Sequence, residues 1–270
     1  MSSARVNGVH LDYEMFGEGR PVVLVCGTGQ PAVTWQLHMV APLVAAGFRV
    51  ITFDNRGVAP SESTSGPYTV GLLAEDLAAL LDHLDLGPAF IAGLSLGAFI
   101  TQELCLQRPE LVAAGVMMGT LADQPAIGRA WCSAQIELIE SGIDLPGSFE
   151  AMRTAYTIFS PGRLFDDAFI EPFLELMAAH QPEKGPGAIG QLQADLAYSG
   201  RLPDLARISV PTMVMAFEHD LLTPAHLGRA VADAISGCRF VEIPGVGHAG
   251  PMEDATPVIE ALLDFFGENQ

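Results

Sequence analysis

An apolar strand that runs through Gly-x-Ser-x-Gly straight into a helix constrains this chain more than any other feature. Residues 90–99 read Phe-Ile-Ala-Gly-Leu-Ser-Leu-Gly-Ala-Phe. Small residues two before and two after Ser95 let strand and helix approach closely at a turn too sharp for bulky neighbours. The helix N-terminus that follows favours negative charge developing beside the serine. The glycines serve geometry and the serine serves chemistry.

Other short, unbroken apolar runs lie at residues 22–26, 48–53, 111–118, 211–217 and 238–243, in addition to 89–92. Runs of this length suit strands buried on both faces. Residues 69–86 carry Leu72, Leu73, Leu77, Leu80, Leu81 and Leu84 at spacings of three and four, with Glu75, Asp76 and Asp82 on the other side, which predicts an amphipathic helix. Strand, helix, strand predicts a parallel sheet. Asn7-Gly8, between Arg5-Val6 and the alternating Val9-His10-Leu11-Asp12-Tyr13, predicts an antiparallel hairpin ahead of it.

The alternation stops at Gly119 and resumes at Pro211, far beyond the usual two to six residues or so of such a connection. Within that insert, residues 131–139, 149–159, 169–179 and 191–198 have helical patterns, separated by Pro146-Gly147, Pro161-Gly162 and a Gly185-Pro186-Gly187 linker. The expected organisation is therefore an α/β core made of residues 1–120 and 206–270, with a helical cap, residues 121–205, inserted between the sixth and seventh strands. The last helix, residues 257–266, is expected to dock Ile259, Leu262, Leu263 and Phe266 on the sheet.

Composition narrows the function. The 270 residues carry a formal net charge of −19, and Lys184 is the single lysine, with no basic run, so a phosphate-tracking surface has nothing to build on. Nucleic acid is not an expected partner. The uncharged stretches 21–48 and 86–102 are long enough to span a bilayer, but Pro21, Pro31 and Pro42 interrupt the first and Gly87-Pro88 and the glycines around Ser95 the second. No membrane insertion is expected. Cys26, Cys105, Cys132 and Cys238 are scattered, with neither a C-x-x-C pair nor a metal-ligand spacing, so they read as reduced structural thiols. The first residues lack a basic start and an apolar core, which predicts a cytoplasmic protein.

A serine hydroxyl needs a positioned base, itself oriented by a carboxylate. Of seven histidines, His248 follows the last strand and precedes the last helix in Ile243-Pro244-Gly245-Val246-Gly247-His248, whereas His38, His180 and His226 have only helix-face readings and His10 and His83 read as solvated. Asp220 comes just past a buried strand in Phe217-Glu218-His219-Asp220 and ranks first as the acid, ahead of Asp123 after the strand ending near Met118, and of Glu218. An oxyanion needs two backbone donors. The N–H of Leu96, after the serine, is one, and Thr28 in the loop Cys26-Gly27-Thr28-Gly29-Gln30 is the choice for the second. Gln30, Trp131 and Phe159 are the candidate substrate contacts.

Taken together, Gly93 to Gly97 as G-x-S-x-G, Asp220 with Pro224, Gly247-His248, and Asp54-Asn55-Arg56-Gly57-Val58-Ala59-Pro60-Ser61 as a variant of D-x-R-G-x-G-x-S resemble the α/β-hydrolase fold superfamily across nearly the whole chain. Departures are Ala59 for a glycine, Ala98 for a frequent glycine and Cys26 where relatives often have His. Gly66-Pro67-Tyr68-Thr69 and Leu80-Leu81-Asp82-His83-Leu84 resemble the enol-lactonase and small-ester branch. The resemblance implies a Ser95, Asp220, His248 triad that cleaves a small-molecule ester, lactone or thioester through an acyl-enzyme, with no metal and no organic cofactor. The same triad serves elimination, cyclisation or carbon-carbon cleavage, and the fold also serves ligand-binding receptors. Monomer and homodimer are both compatible with the sequence.

Overall fold

The structure, a computed structural model, describes residues 2–179 and 184–269; His180 lies outside them. Strands β1 (Ser2–Val6) and β2 (Val9–Phe16) pair antiparallel across Asn7 and Gly8, whose φ values of 43° and 81° are those of a tight hairpin turn matched to strand twist. Then come β3 (Arg20–Val25), β4 (Phe48–Phe53), β5 (Ala89–Leu94), β6 (Val112–Met118), β7 (Thr212–Phe217) and β8 (Arg239–Ile243). They form one eight-stranded sheet in the order β1-β2-β4-β3-β5-β6-β7-β8. β2 joins β4 antiparallel and every pairing from β4 to β8 is parallel.

Period-two geometry divides the apolar runs between two cores. Val23, Val25, Ile51, Ile91 and Val214 face one side, and Val22, Leu24, Val50, Phe90 and Met215 the other. The first side is covered by α3 (Val70–Leu84) and α4 (Leu96–Gln107), whose Leu73, Leu77, Phe99 and Leu104 are buried, with α11 (Ala225–Ala234) completing it through Val231. The second is covered by α1 (Val33–His38), α2 (Val40–Ala45) and α13 (Ala255–Glu268), preceded by the short α12 (Gly250–Glu253). Phe266 of α13 stacks on Phe90 with ring centroids 4.4 Å apart, as the apolar stripe of the last helix leads one to expect. The uncharged stretch 21–48 is thus a strand and two short helices. No described helix is long and apolar enough to cross a membrane.

Between β6 and β7 the described chain forms α5 (Ala126–Ser141), α6 (Gly147–Ile158), α7 (Pro161–Leu164), α8 (Asp167–Ala179), α9 (Pro186–Ala197) and α10 (Leu202–Leu205). The expected linker at Gly185-Pro186-Gly187 is instead the start of α9. Pro186 occupies the first turn, where a missing N–H costs nothing. Gly187 presses on the core, since a β-carbon there would lie 2.5 Å from the α-carbon of Gly57. α9 therefore enters against the sheet's loops.

Candidate active site

Ser95 joins β5 to α4 with φ 58° and ψ −120°, a conformation that costs a non-glycine residue of order 1–3 kcal/mol. Its neighbours explain how the turn is held. A β-carbon on Gly93 would come 2.0 Å from the Gly97 carbonyl oxygen, and one on Gly97 2.2 Å from the Val25 carbonyl oxygen, so both positions exclude a side chain. The Ser95 amide donates to the Met118 carbonyl at 2.9 Å, which fixes the elbow on the neighbouring strand. Leu96 opens α4, so its N–H is one of the four at a helix start that have no intrahelical acceptor.

His248 and Asp220 meet at the same end of the sheet. His248 Nδ1 lies 2.7 Å from Asp220 Oδ2, and both side chains are buried. Asp220 Oδ1 accepts the Leu222 and Thr223 amides, each at 2.8 Å, while Oδ2 also accepts the Thr223 hydroxyl at 2.7 Å. Burial alone would raise the Asp220 pKa, but His248 and the Thr223 hydrogen bonds hold it below the usual carboxylate value. Burial alone would lower that of His248, yet Asp220 and Asp195 hold it above the usual imidazole value.

The rival acids lie elsewhere. Asp123 is exposed and accepts the Gly200 amide, and the exposed Glu218 accepts the Gly245 amide at 2.7 Å. His219, beside Glu218, is exposed as well.

The loop after β3 reaches Ser95. A β-carbon on Gly27 would stand 3.3 Å from Ser95 Cβ, so the glycine lets this loop pass close to the serine. Gln30 folds back on this loop, its Oε1 accepting the Gly27 amide at 3.0 Å and its Nε2 donating to the Thr34 hydroxyl at 2.7 Å. The Asp54 motif braces the loop from behind. Asp54 Oδ1 accepts the Ala32 amide at 2.7 Å, Asn55 Nδ2 donates to the Cys26 carbonyl at 2.9 Å, and Arg56 pairs with Asp76 at 2.6 Å. Burial, with Asp54 adding to it, pushes the Cys26 thiol well above its usual pKa, which makes it a poor nucleophile.

The other two candidate contacts lie in the helices between β6 and β7. Phe159 packs edge-on against Phe169 and Phe173, with centroids 5.1 and 4.7 Å away, and touches the cluster that contains Ala249 beside His248. Trp131 is half-buried under the Arg153 guanidinium. Arg153 pairs with Glu150 at 2.7 Å, Arg129 donates to the Gln124 carbonyl at 2.6 Å, and Arg163 donates to the Glu253 carbonyl.

Sequence reasoning passed over four residues of this region. Gly119, with φ 55°, lies so close that a β-carbon would stand 3.2 Å from Asp220 Oδ2 and 3.4 Å from His248 Cε1. Glu253 accepts the Gly247 amide at 2.7 Å just before His248. On α9, Gln191 accepts the Gly29 amide at 2.7 Å and donates to the Arg56 carbonyl at 2.8 Å, and one turn on Asp195 accepts the Thr28 hydroxyl. Asp195 is 8% exposed, and burial pushes its pKa up to about 7 despite the lowering effects of Thr28 and His248. A glycine directly after the apolar run 111–118 and an i, i+4 pair of polar side chains in a helical pattern were the available signals; neither belongs to a recognised motif.

A strand-serine-helix elbow beside a buried histidine-aspartate pair, on a mostly parallel sheet with a helical insert, defines a class, and a family model confirms it: the chain matches the alpha/beta hydrolase family over residues 22–261 and belongs to it. It is 38% identical over 258 residues to BpoC of Mycobacterium tuberculosis, a protein that carries the name of a non-heme bromoperoxidase, covering 96% of this chain and 98% of the other. The crystal structure of that protein superposes with a TM-score of 0.91 over 96% of each chain, at 37% identity. The enol-lactonase from Burkholderia xenovorans LB400 is 26% identical, with a TM-score of 0.85 over 98% of this chain and all of the other.

Proposed function

We propose that the protein is a serine hydrolase that cleaves a carboxylic ester, lactone or thioester of a small to medium apolar substrate. The buried 2.7 Å contact between His248 Nδ1 and Asp220 Oδ2, at the sheet edge that carries the Ser95 elbow, is the observation that carries this reading. The enol-lactonase similarity supports the reaction class.

In the reaction, Nε2 of His248 takes the Ser95 hydroxyl proton as Oγ attacks the carbonyl carbon. Asp220 holds the imidazole with Nδ1–H toward itself and stabilises the imidazolium. The oxyanion is received by the Leu96 and Thr28 amides. His248 then gives its proton to the leaving oxygen or sulfur, and water, deprotonated by the same imidazole, releases the acid from Ser95. No step calls for a metal or an organic cofactor. The cap, with Trp131 and Phe159, and the loop shaped by Gln30 set the acyl preference.

A fluorophosphonate probe should label Ser95, and Ser95→Ala should lower ester turnover by about 10⁶-fold with the fold intact. Retention of more than about a hundredth of the wild-type rate would remove Ser95 from the nucleophile's role.

A further inference from the structure

α9 brings a second carboxylate to the site. Asp195 Oδ2 accepts the hydroxyl of Thr28, whose amide is the assigned oxyanion donor, while Asp195 Oδ1 is buried with no hydrogen-bond partner among the described residues. A buried polar atom left unpaired is costly, and native structures retain such atoms mainly where something else satisfies them. The charged and titratable groups that act on Asp195 are His248, from the loop after β8, and Cys132, from α5. Among the described residues, Arg129, Arg153 and Arg163 of the insert each donate to other protein acceptors, the Gln124 carbonyl, Glu150 and the Glu253 carbonyl, and not to Asp195.

From this geometry we infer that Asp195, Thr28 and α9 form a polar subsite beside the scissile carbonyl, in which Asp195 Oδ1 accepts a hydrogen bond from a hydroxyl or ammonium group of the substrate. The inference rests on the serine-hydrolase reading and narrows its substrate class to esters that carry a hydrogen-bond donor close to the reacting carbon. Above about pH 7, where Asp195 is ionised, a substrate carboxylate in the same place would face that charge and is selected against. The field of a chain with net charge −19 acts in the same direction, drawing cations and repelling anions.

Two matched ester series test this. Methyl butanoate is compared with its 3-hydroxy and 3-amino derivatives and with monomethyl succinate, which places the donor on the acyl side; ethyl butanoate is compared with its 2-hydroxyethyl and 2-aminoethyl analogues, which place it on the alcohol side. In at least one series the donor-bearing esters should exceed the plain ester in kcat/KM by about tenfold or more, the scale of a hydrogen bond to a charged group, and monomethyl succinate should be the poorest substrate. Asp195→Asn should collapse the preference for ammonium and relieve the discrimination against succinate. Asp195→Ala should remove the preference for hydroxyl as well.

A role confined to tethering α9 would instead lower kcat/KM for all the esters by the same factor, and that result overturns the subsite, as does a wild type with no preference in either series. If both variants fail to fold, by circular dichroism, the wild-type ratios decide. Binding of 3-aminobutanamide against butanamide, and of N-(2-aminoethyl)butanamide against N-ethylbutanamide, measured by calorimetry, separates the two readings for a donor on either side. A Kd ratio of about tenfold that is lost in Asp195→Asn, in a protein that cleaves no ester, keeps the subsite and removes the hydrolase. Active hydrolysis without any such ratio does the reverse.

Discussion

The Ser160 hydroxyl donates to the carboxylate of Glu253, a residue 93 positions away, which joins the segment between α6 and α7 to the loop that holds His248. The same carboxylate accepts the Ser160 amide at 3.1 Å and the Gly247 amide at 2.7 Å, and the Ala249 amide donates to the Ile158 carbonyl at 3.0 Å. Gly247 has no side chain because a β-carbon would lie 2.7 Å from that carbonyl oxygen. Glu253 is buried and serves three donors, so Glu253→Gln turns an amide NH₂ toward at least one of them. We expect a loss of about 1–3 kcal/mol in stability, measured by denaturant unfolding, and a fall in kcat larger than any change in KM.

Replacing Asp220 separates the candidate acids. Asp220→Asn should lower kcat by about 10⁴, because an amide neither holds the imidazole tautomer nor stabilises its cation. Asp123→Asn removes only the tie to Gly200 and should leave turnover within a few-fold of wild type. Ester kinetics on the two purified variants check the ranking, and the reverse order would move the acid to the loop after β6.

Gly119→Ala is expected to inactivate without unfolding. The residue has φ 55°, and the new methyl would stand 3.0 Å from Thr223 Oγ1 and 3.2 Å from Asp220 Oδ2. A displacement of about 1 Å at a catalytic pair costs on the order of 10²-fold. Turnover and a thermal melt on the same sample separate this local effect from global loss of structure.

The carboxylates set opposite pH dependences. His248 must be neutral to take the serine proton, and Asp220 and Asp195 raise its pKa, so the acid limb of kcat/KM should fall above 6.5, the ordinary imidazole value. Asp195→Asn removes one of the two raising charges and should move that limb toward lower pH. For stability, Asp195 binds its proton more tightly folded than unfolded, with a pKa raised from 3.8 to about 7. The folded state therefore holds more protons across that window, and this group's contribution to stability declines as pH rises through it. The melting temperature of Asp195→Asn, measured relative to wild type, should be higher at pH 8 than at pH 4.

The sheet, the elbow and the histidine loop were legible because each is a local pattern. Four of the six apolar runs end at glycine or proline, and Ser95 and His248 sit between recognisable elements. Asp220, just past a strand, pairs with His248, whereas Asp123 accepts the Gly200 amide. Gln191 and Asp195 were not legible, since polar residues on a helix read as a solvated face until the tertiary fold turns that face inward. Glu253 was hidden by its place in a short helical turn, and Gly119 by standing where a strand simply ends. The linker expected at Gly185-Pro186-Gly187 failed because the same residues that break a helix also begin one.

The glycine contact between residues 57 and 187 divides the insert into parts with unequal freedom to change. α9 is seated backbone against backbone, with Gly190 against the Tyr68 ring and Gln191 bridging two core loops, so no side chain fits at Gly187 or Gly190. α8, which precedes this seam in the chain, lies against α6 and α7. Recombination that exchanges α6 and α8 for another pair of helices while retaining the Ile158 to Ser160 segment and α9 should therefore yield folded chimaeras, whereas exchange of α9 alone should not.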